Sequence, residues 1–195
     1  MSYYYGAWEI QTAAATDPVT LAEAKEHLRI DGTDDDTWLT NNITAATNIA
    51  QKFANRQFVT ATYDWFLPGF CWDELRVPMP PLQSVTSITY VDSAGTTQTL
   101  ATSVYQVDAN REPGRITPAY GQYWPSWRVD TYNAVTVRFV AGYGAASAVP
   151  KEVKTAILLW LGELYENREN TTTIELREIP MGAKNLLRMD GISSF

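Results

Sequence analysis

The sequence predicts an α+β protein: a small helical bundle built from the two ends of the chain, with an all-β insert over about residues 60–142. Three observations predict it. Apolar residues recur every three or four positions near 21–56 and again near 149–168, the period of a helix with one buried face. Between them the period falls to two, in short runs rich in Val, Thr, Tyr and Trp and broken by Pro, Gly and Asp. The helical segments at both ends carry matching apolar faces, which can cover each other while the β region projects from them.

Residues 1–16 show no period and read as an N-terminal arm, with a run at Tyr3, Tyr4 and Tyr5 whose apolar area suits a neighbour. The bundle is expected from 17–58 and 148–169, the insert from 59–147. Thr20-Leu-Ala-Glu23 is a capping box, in which the Thr hydroxyl accepts from the N–H three residues on and the Glu reaches back. Leu21, Ala24 and Leu28 follow at helical spacing, and Gly32 is expected to stop this first helix in the left-handed region. A second helix starts in Asp34-Asp35-Asp36, where acids face the positive end of the helix dipole. Its stripe is Trp38, Leu39, Ile43, Ala46, Ile49, Ala50 and Phe53, ending near Arg56.

Strands are expected at Ala61–Leu67, Leu75–Val77, Val85–Val91, Thr96–Leu100, Val104–Val107, Arg115–Thr117 and Ala134–Val140, with a turn at Asp92–Gly95. Pro150 opens a third helix, in whose first turn its missing N–H costs nothing. Val153, Ala156, Ile157, Trp160, Leu161 and Leu164 form its apolar face. Residues 170–195 read as a polar C-terminal tail with one weak helical piece, Ala183–Met189.

Composition narrows the function classes. The 195 residues include 22 acidic and 15 basic side chains, a formal net charge of −7. Phosphate binding needs clustered Lys and Arg, which this acidic chain lacks. The single cysteine, Cys71, excludes an internal disulfide framework, and the single histidine, His27, excludes a His-rich metal site. No apolar run approaches the roughly 20 residues of a membrane span. MSYYYGAWEI lacks the basic and apolar regions of a signal peptide. The balance reads as soluble and intracellular. Aromatics, at 12%, are the unusual share, and they favour strands and interfaces.

Candidate chemistry is thin. Asp31–Asp36 resembles a calcium loop, but position 6 is Asp36 where Gly is required and position 12 is Asn42. His27 has only Glu23 within helical reach, and Cys71 has no basic neighbour to activate it. Gly142-Tyr-Gly144 lacks the rest of a phosphate loop. Acid pairs such as Asp73-Glu74 and Glu163 with Glu166 occur in any acidic chain. No catalytic residue, metal ligand or cofactor site is assigned. Tyr120-Gly-Gln-Tyr123-Trp124-Pro-Ser-Trp127 is the densest aromatic cluster; it reads first as a loop capping the insert, and second as a sugar-stacking platform.

Several stretches stand in a recognisable order: Pro18–Ile30 followed by Asp34–Asp36; Pro80-Pro81-Leu-Gln-Ser-Val85 with Ile88–Tyr90 and Gly95; Tyr105–Asp108; Trp124-Pro125; Val135–Phe139; Ala141–Gly144; Val149-Pro150 with Ala156–Leu158; and Leu164–Glu169. Together they resemble the tailed-phage head–tail connector (adaptor) proteins, in the larger gp6-like form with a β insert. The resemblance implies a structural virion protein of the neck, present in the host cytoplasm during assembly. It implies a homo-oligomeric ring of about twelve copies under the portal protein, meeting a tail-side neck or tail-completion protein. Genome DNA would pass through without specific binding, and no cofactor or catalysis is implied.

Candidate partner and oligomer contacts are Tyr3, Tyr4, Tyr5, Trp124, Trp127, Ile174, Leu176, Leu186, Leu187 and Phe195. Asp34, Asp35 and Asp36 are candidate lumen-facing acids, since negative charge keeps DNA from being gripped. The tail is expected to order on docking to the portal. The alternatives are another neck component (a stopper or tail-completion protein), a carbohydrate- or surface-binding module resting on Trp124 and Trp127, and an enzyme resting on His27 or an acid pair.

Overall fold

The computed structural model describes residues 6–70, 74–167 and 181–190, with side chains in the last segment through Arg188. The chain is α+β and forms two compact units. One takes residues 16–59 and 144 onward; the other takes residues up to 15 and 60–143.

The first unit is helical: α1 (Leu21–Leu28), α2 (Asp36–Ala54), α3 (Lys151–Glu166) and α4 (Met181–Asp190). The capping box forms as the sequence requires, with Glu23 N–H donating to the Thr20 hydroxyl at 3.2 Å and Thr20 N–H donating to the Glu23 carboxylate at 2.7 Å. The stop of α1 differs from expectation. Arg29, not Gly32, takes the left-handed conformation, at φ 57°. Its N–H reaches the Glu26 carbonyl, and that of Ile30 reaches the Lys25 carbonyl. These two bonds hold the last carbonyls of an eight-residue helix, and they outweigh the cost of a positive φ at a residue with a Cβ.

Leu39, Ile43, Ala46, Ala50 and Ala54 of α2 are buried, as are Val153, Ala156, Ile157 and Leu161 of α3. Polar contacts fix the packing. Lys154 Nζ donates to Glu23 at 3.2 Å, tying α3 to α1, and Trp38 meets Tyr165 edge-on at 5.5 Å. Helix α4 is longer than the sequence suggested and packs on α2 and α3, burying Ala183 and Leu187. Its apolar pair is offset by four residues, so it covers one helix face.

The second unit holds two antiparallel sheets. The larger runs β1 (Ala7–Thr12), β2 (Ala61–Leu67), β8 (Val135–Ala141), β4 (Leu82–Val91), β5 (Thr97–Thr99); the smaller runs β3 (Leu75–Arg76), β7 (Arg115–Pro118), β6 (Tyr105–Asp108). Alternation decides the faces. Tyr63, Trp65 and Leu67 of β2 with Val135, Val137 and Phe139 of β8 point into the core, where they join Leu75, Val77 and Ile116. Tyr63 and Phe139 are cross-strand partners stacked at 5.4 Å. The opposite face carries Asp64 and Arg138, also direct partners, joined by two bonds at 2.7 and 2.6 Å. Strand β1 is the element that the sequence reading lacks, since residues 7–12 fall within the expected arm.

Glu74, beside β3, accepts from Arg76 Nε at 2.8 Å and from Arg115 Nη1 at 2.9 Å, which links β3 to β7 across the small sheet. The Arg76 hydrogen bond foremost, and then Arg115, hold its carboxyl below the ordinary Glu value against the opposing effect of burial. The unfolded chain therefore takes up this proton first on acidification. The pair's stabilisation is complete above the ordinary Glu pKa of about 4.3 and is lost as pH falls through the lower folded value. Glu74→Gln is expected to lower the unfolding midpoint in urea at pH 7 and to flatten its decline below pH 5. An unchanged acid limb would show that the pair contributes nothing.

Candidate functional site

The aromatic segment between β7 and β8 is anchored to the β unit and presents several side chains outward. Phe70 is its base. Trp124 stacks on Phe70 at 4.7 Å and 8°, and Trp127 meets it edge-on at 5.7 Å. Tyr90 of β4 approaches Phe70 edge-on from another side at 6.0 Å. Gly69 is required here, because a Cβ would lie 2.3 Å from the Trp127 indole nitrogen. Arg128 N–H donates to the Val91 carbonyl at 2.9 Å and pins the loop to the sheet. A tight turn precedes the anchors, with Gln122 N–H on the Ala119 carbonyl and Gly121 at φ 72°.

With both indoles turned inward, other residues face out. Tyr120, Tyr123 and Tyr132 are 103%, 86% and 94% exposed, and Val129 is 82% exposed. Isolated exposed apolar residues are ordinary on a protein surface. Here four stand on one loop that Trp124, Trp127 and Arg128 anchor to the β unit. Tyr suits such a surface, having large area, only two torsions and a polar end.

The other predicted contacts lie as follows. Trp124 and Trp127 are half-buried anchors of the loop. Leu187 is buried within the bundle and Leu186 is half-buried. Tyr3, Tyr4, Tyr5, Ile174, Leu176 and Phe195 lie outside the described residues, as does Cys71. The three acids at the start of α2 have separate surroundings. Asp34 is exposed; Asp35 accepts from the Tyr165 hydroxyl at 2.7 Å; Asp36 pairs with Lys25 Nζ at 2.7 Å. Two of the three therefore tie α2 to its neighbours, leaving Asp34 as the acid whose carboxylate faces water.

His27 is exposed on α1. Among the described residues, no group of three His, Cys, Asp or Glu side chains is placed to hold a metal ion. Val129 and Tyr132 are the patch residues that sequence reasoning missed. They fall after the dense cluster, in a run with no period, and it is their exposure in the fold that marks them. Ile49 and Phe53 of α2 and Leu159 of α3 are each just over a third exposed.

Residues 18–95 match the family model described as phage gp6-like head-tail connector protein. Solved structures of the same fold include a chain from the neck of an empty GTA particle computed with C6 symmetry, at 20% identity and TM-score 0.80 over 97% of each chain. A chain from the neck of a native GTA particle computed with C12 symmetry matches at 23% identity and TM-score 0.75, over 97% of each chain. A chain from the virion of a native gene transfer agent (GTA) particle matches at 22% identity and TM-score 0.78, over 96% of each. At these identities the likeness is one of fold. No curated protein sequence matches the chain.

Proposed function

We propose that this protein is a structural subunit of the neck of a phage-like particle: a head–tail connector that forms a ring under the portal, extends the DNA channel and joins capsid to tail. One observation carries the reading. The chain shares its fold with a neck chain over 97% of both lengths, and residues 18–95 match the connector family model. A ring of twelve is supported by the C12 symmetry of one of those necks. The net charge of −7 suits a lumen that lets DNA slide, and Asp34 is the exposed acid at the start of α2. The tyrosine patch is the surface offered to the adjacent neck protein. Such a role needs no catalytic group and no cofactor.

The glycan-binding alternative rests on Trp124 and Trp127, whose rings are packed on Phe70. That geometry supports the interface reading instead.

The test is the mass of the assembly. The chain is mixed with the portal oligomer of its own particle, separated by size exclusion and measured by light scattering. The expected result is a complex heavier than the portal by about twelve 21.9 kDa subunits. An intact portal that elutes without the chain would overturn the reading.

A further inference from the structure

Strand β1 ends the larger sheet, and among the described residues no strand lies beyond it. All six of its residues are exposed, including Trp8 at 46% and Ile10 at 58%. Natural proteins usually blunt such edges with Lys, Pro or brevity. The opposite edge follows that rule: β5 has three residues, Thr-Gln-Thr. Strand β1 has neither Lys nor Pro.

Its single charge sharpens the point. Glu9 lies directly across from Asp64 of β2, and Asp64 is already paired with Arg138 of β8. Like charges directly opposite each other on a sheet are unfavourable. A cation on the outer flank of Glu9 would complete the row Arg138, Asp64, Glu9 with a fourth, opposite charge.

We propose that β1 accepts an added strand from a second copy of this chain, namely residues 172–179, Thr-Thr-Ile-Glu-Leu-Arg-Glu-Ile. The inference rests on the ring reading above. The segment alternates apolar and polar side chains around Ile174 and Leu176, is rich in β-branched residues, and precedes Pro180, which favours extended backbone at Ile179. An antiparallel register that sets Arg177 across from Glu9 also sets Leu176 across from Ile10 on the other face, while Ile179 falls across from Ala7 on the same face as the charge pair. The charge row and one apolar cross-strand pair, Leu176 with Ile10, then form together. One copy gives and the next receives, so the contact is heterologous and can close into a ring.

The test is cross-linking in a Cys71→Ser background. One chain carries Ala7→Cys and a second, tagged to differ in size, carries Ile179→Cys. Both are assembled with the portal and oxidised. Directly opposed strand residues lie at about 4.5–5.5 Å between Cα atoms, within disulfide reach. A mixed disulfide dimer, and a ladder of covalent oligomers from the double variant, are expected. Glu9→Arg turns a favourable cross-strand charge pair into a repulsive one and should reduce the ladder by roughly tenfold, and adding Arg177→Glu should restore it. A bond formed only within one chain overturns the inference, as does no bond when the wild-type chain still binds the portal. Failure of the wild-type chain to bind the portal removes the ring reading itself, and the inference with it.

Discussion

Replacing Tyr120, Tyr123 and Tyr132 with serine should abolish docking to the adjacent neck protein while leaving the subunit's unfolding curve in place. The reason lies in where these rings sit. Each is at least 86% exposed, so the free subunit gains almost nothing from them. Exposed substitutions of this kind usually fall within about 0.5 kcal/mol in stability. In a bound interface, by contrast, buried tyrosines act as hot spots, each worth about 2 kcal/mol or more, roughly 30-fold in affinity. The three are not additive, yet together they should exceed a hundredfold loss, on the order of 3 kcal/mol. Binding is measured by titration against the isolated neck partner. Affinity within a factor of about three of wild type, below 1 kcal/mol, would remove the patch from the interface. Serine keeps a hydroxyl and therefore tests the ring itself. Trp124→Ala would be the wrong probe, since it takes the stack off Phe70 and releases the loop.

Phe139→Ala should have the largest effect on folding. Phe139 is fully buried on the central strand β8, between Tyr63 of β2 and Val85 of β4. Its ring stacks on Tyr63 at 5.4 Å. Truncation opens a cavity walled by two paired strands, which cannot collapse without breaking ladder hydrogen bonds. The expected cost is about 3–5 kcal/mol. That is a large share of the roughly 5–15 kcal/mol that holds a typical domain together. The Phe139→Leu exchange keeps most of the volume and should cost less. Urea unfolding followed by tryptophan fluorescence reads both. A loss below about 1 kcal/mol for alanine would mean that the two flanking strands repack freely, against the close packing expected of such a core.

Much of this architecture was legible in the residues because its signals are local. The capping box needs only Thr20 and Glu23 three positions apart. The strands at 61–67 and 135–141 announce themselves by alternation, and the turn at Asp92–Gly95 by residue type. Where a long-range partner decides, local signals fall short. Strand β1 has the alternation Trp8, Glu9, Ile10, but it becomes a strand only because β2 offers it an edge. Arg29 takes the left-handed position because two backbone bonds need it there, although Gly32 is the better residue for that conformation.

The candidate site divides along the same line. The sequence by itself offered surfaces more than a catalytic cluster: one His, one Cys, an acid excess and a dense aromatic run. It also determined the helix–β–helix order, because periodicity is a property of neighbours along the chain. Only the tertiary structure decided which aromatics face outward. Trp124 and Trp127 were as eligible as Tyr120 and Tyr123 until Phe70, more than fifty residues earlier, supplied the apolar base that draws indoles in. The same holds for the acids, where Lys25 and Tyr165 claim Asp36 and Asp35 and leave Asp34 to solvent. Burial and pairing are settled by partners distant in sequence, and those partners exist only once the chain has folded.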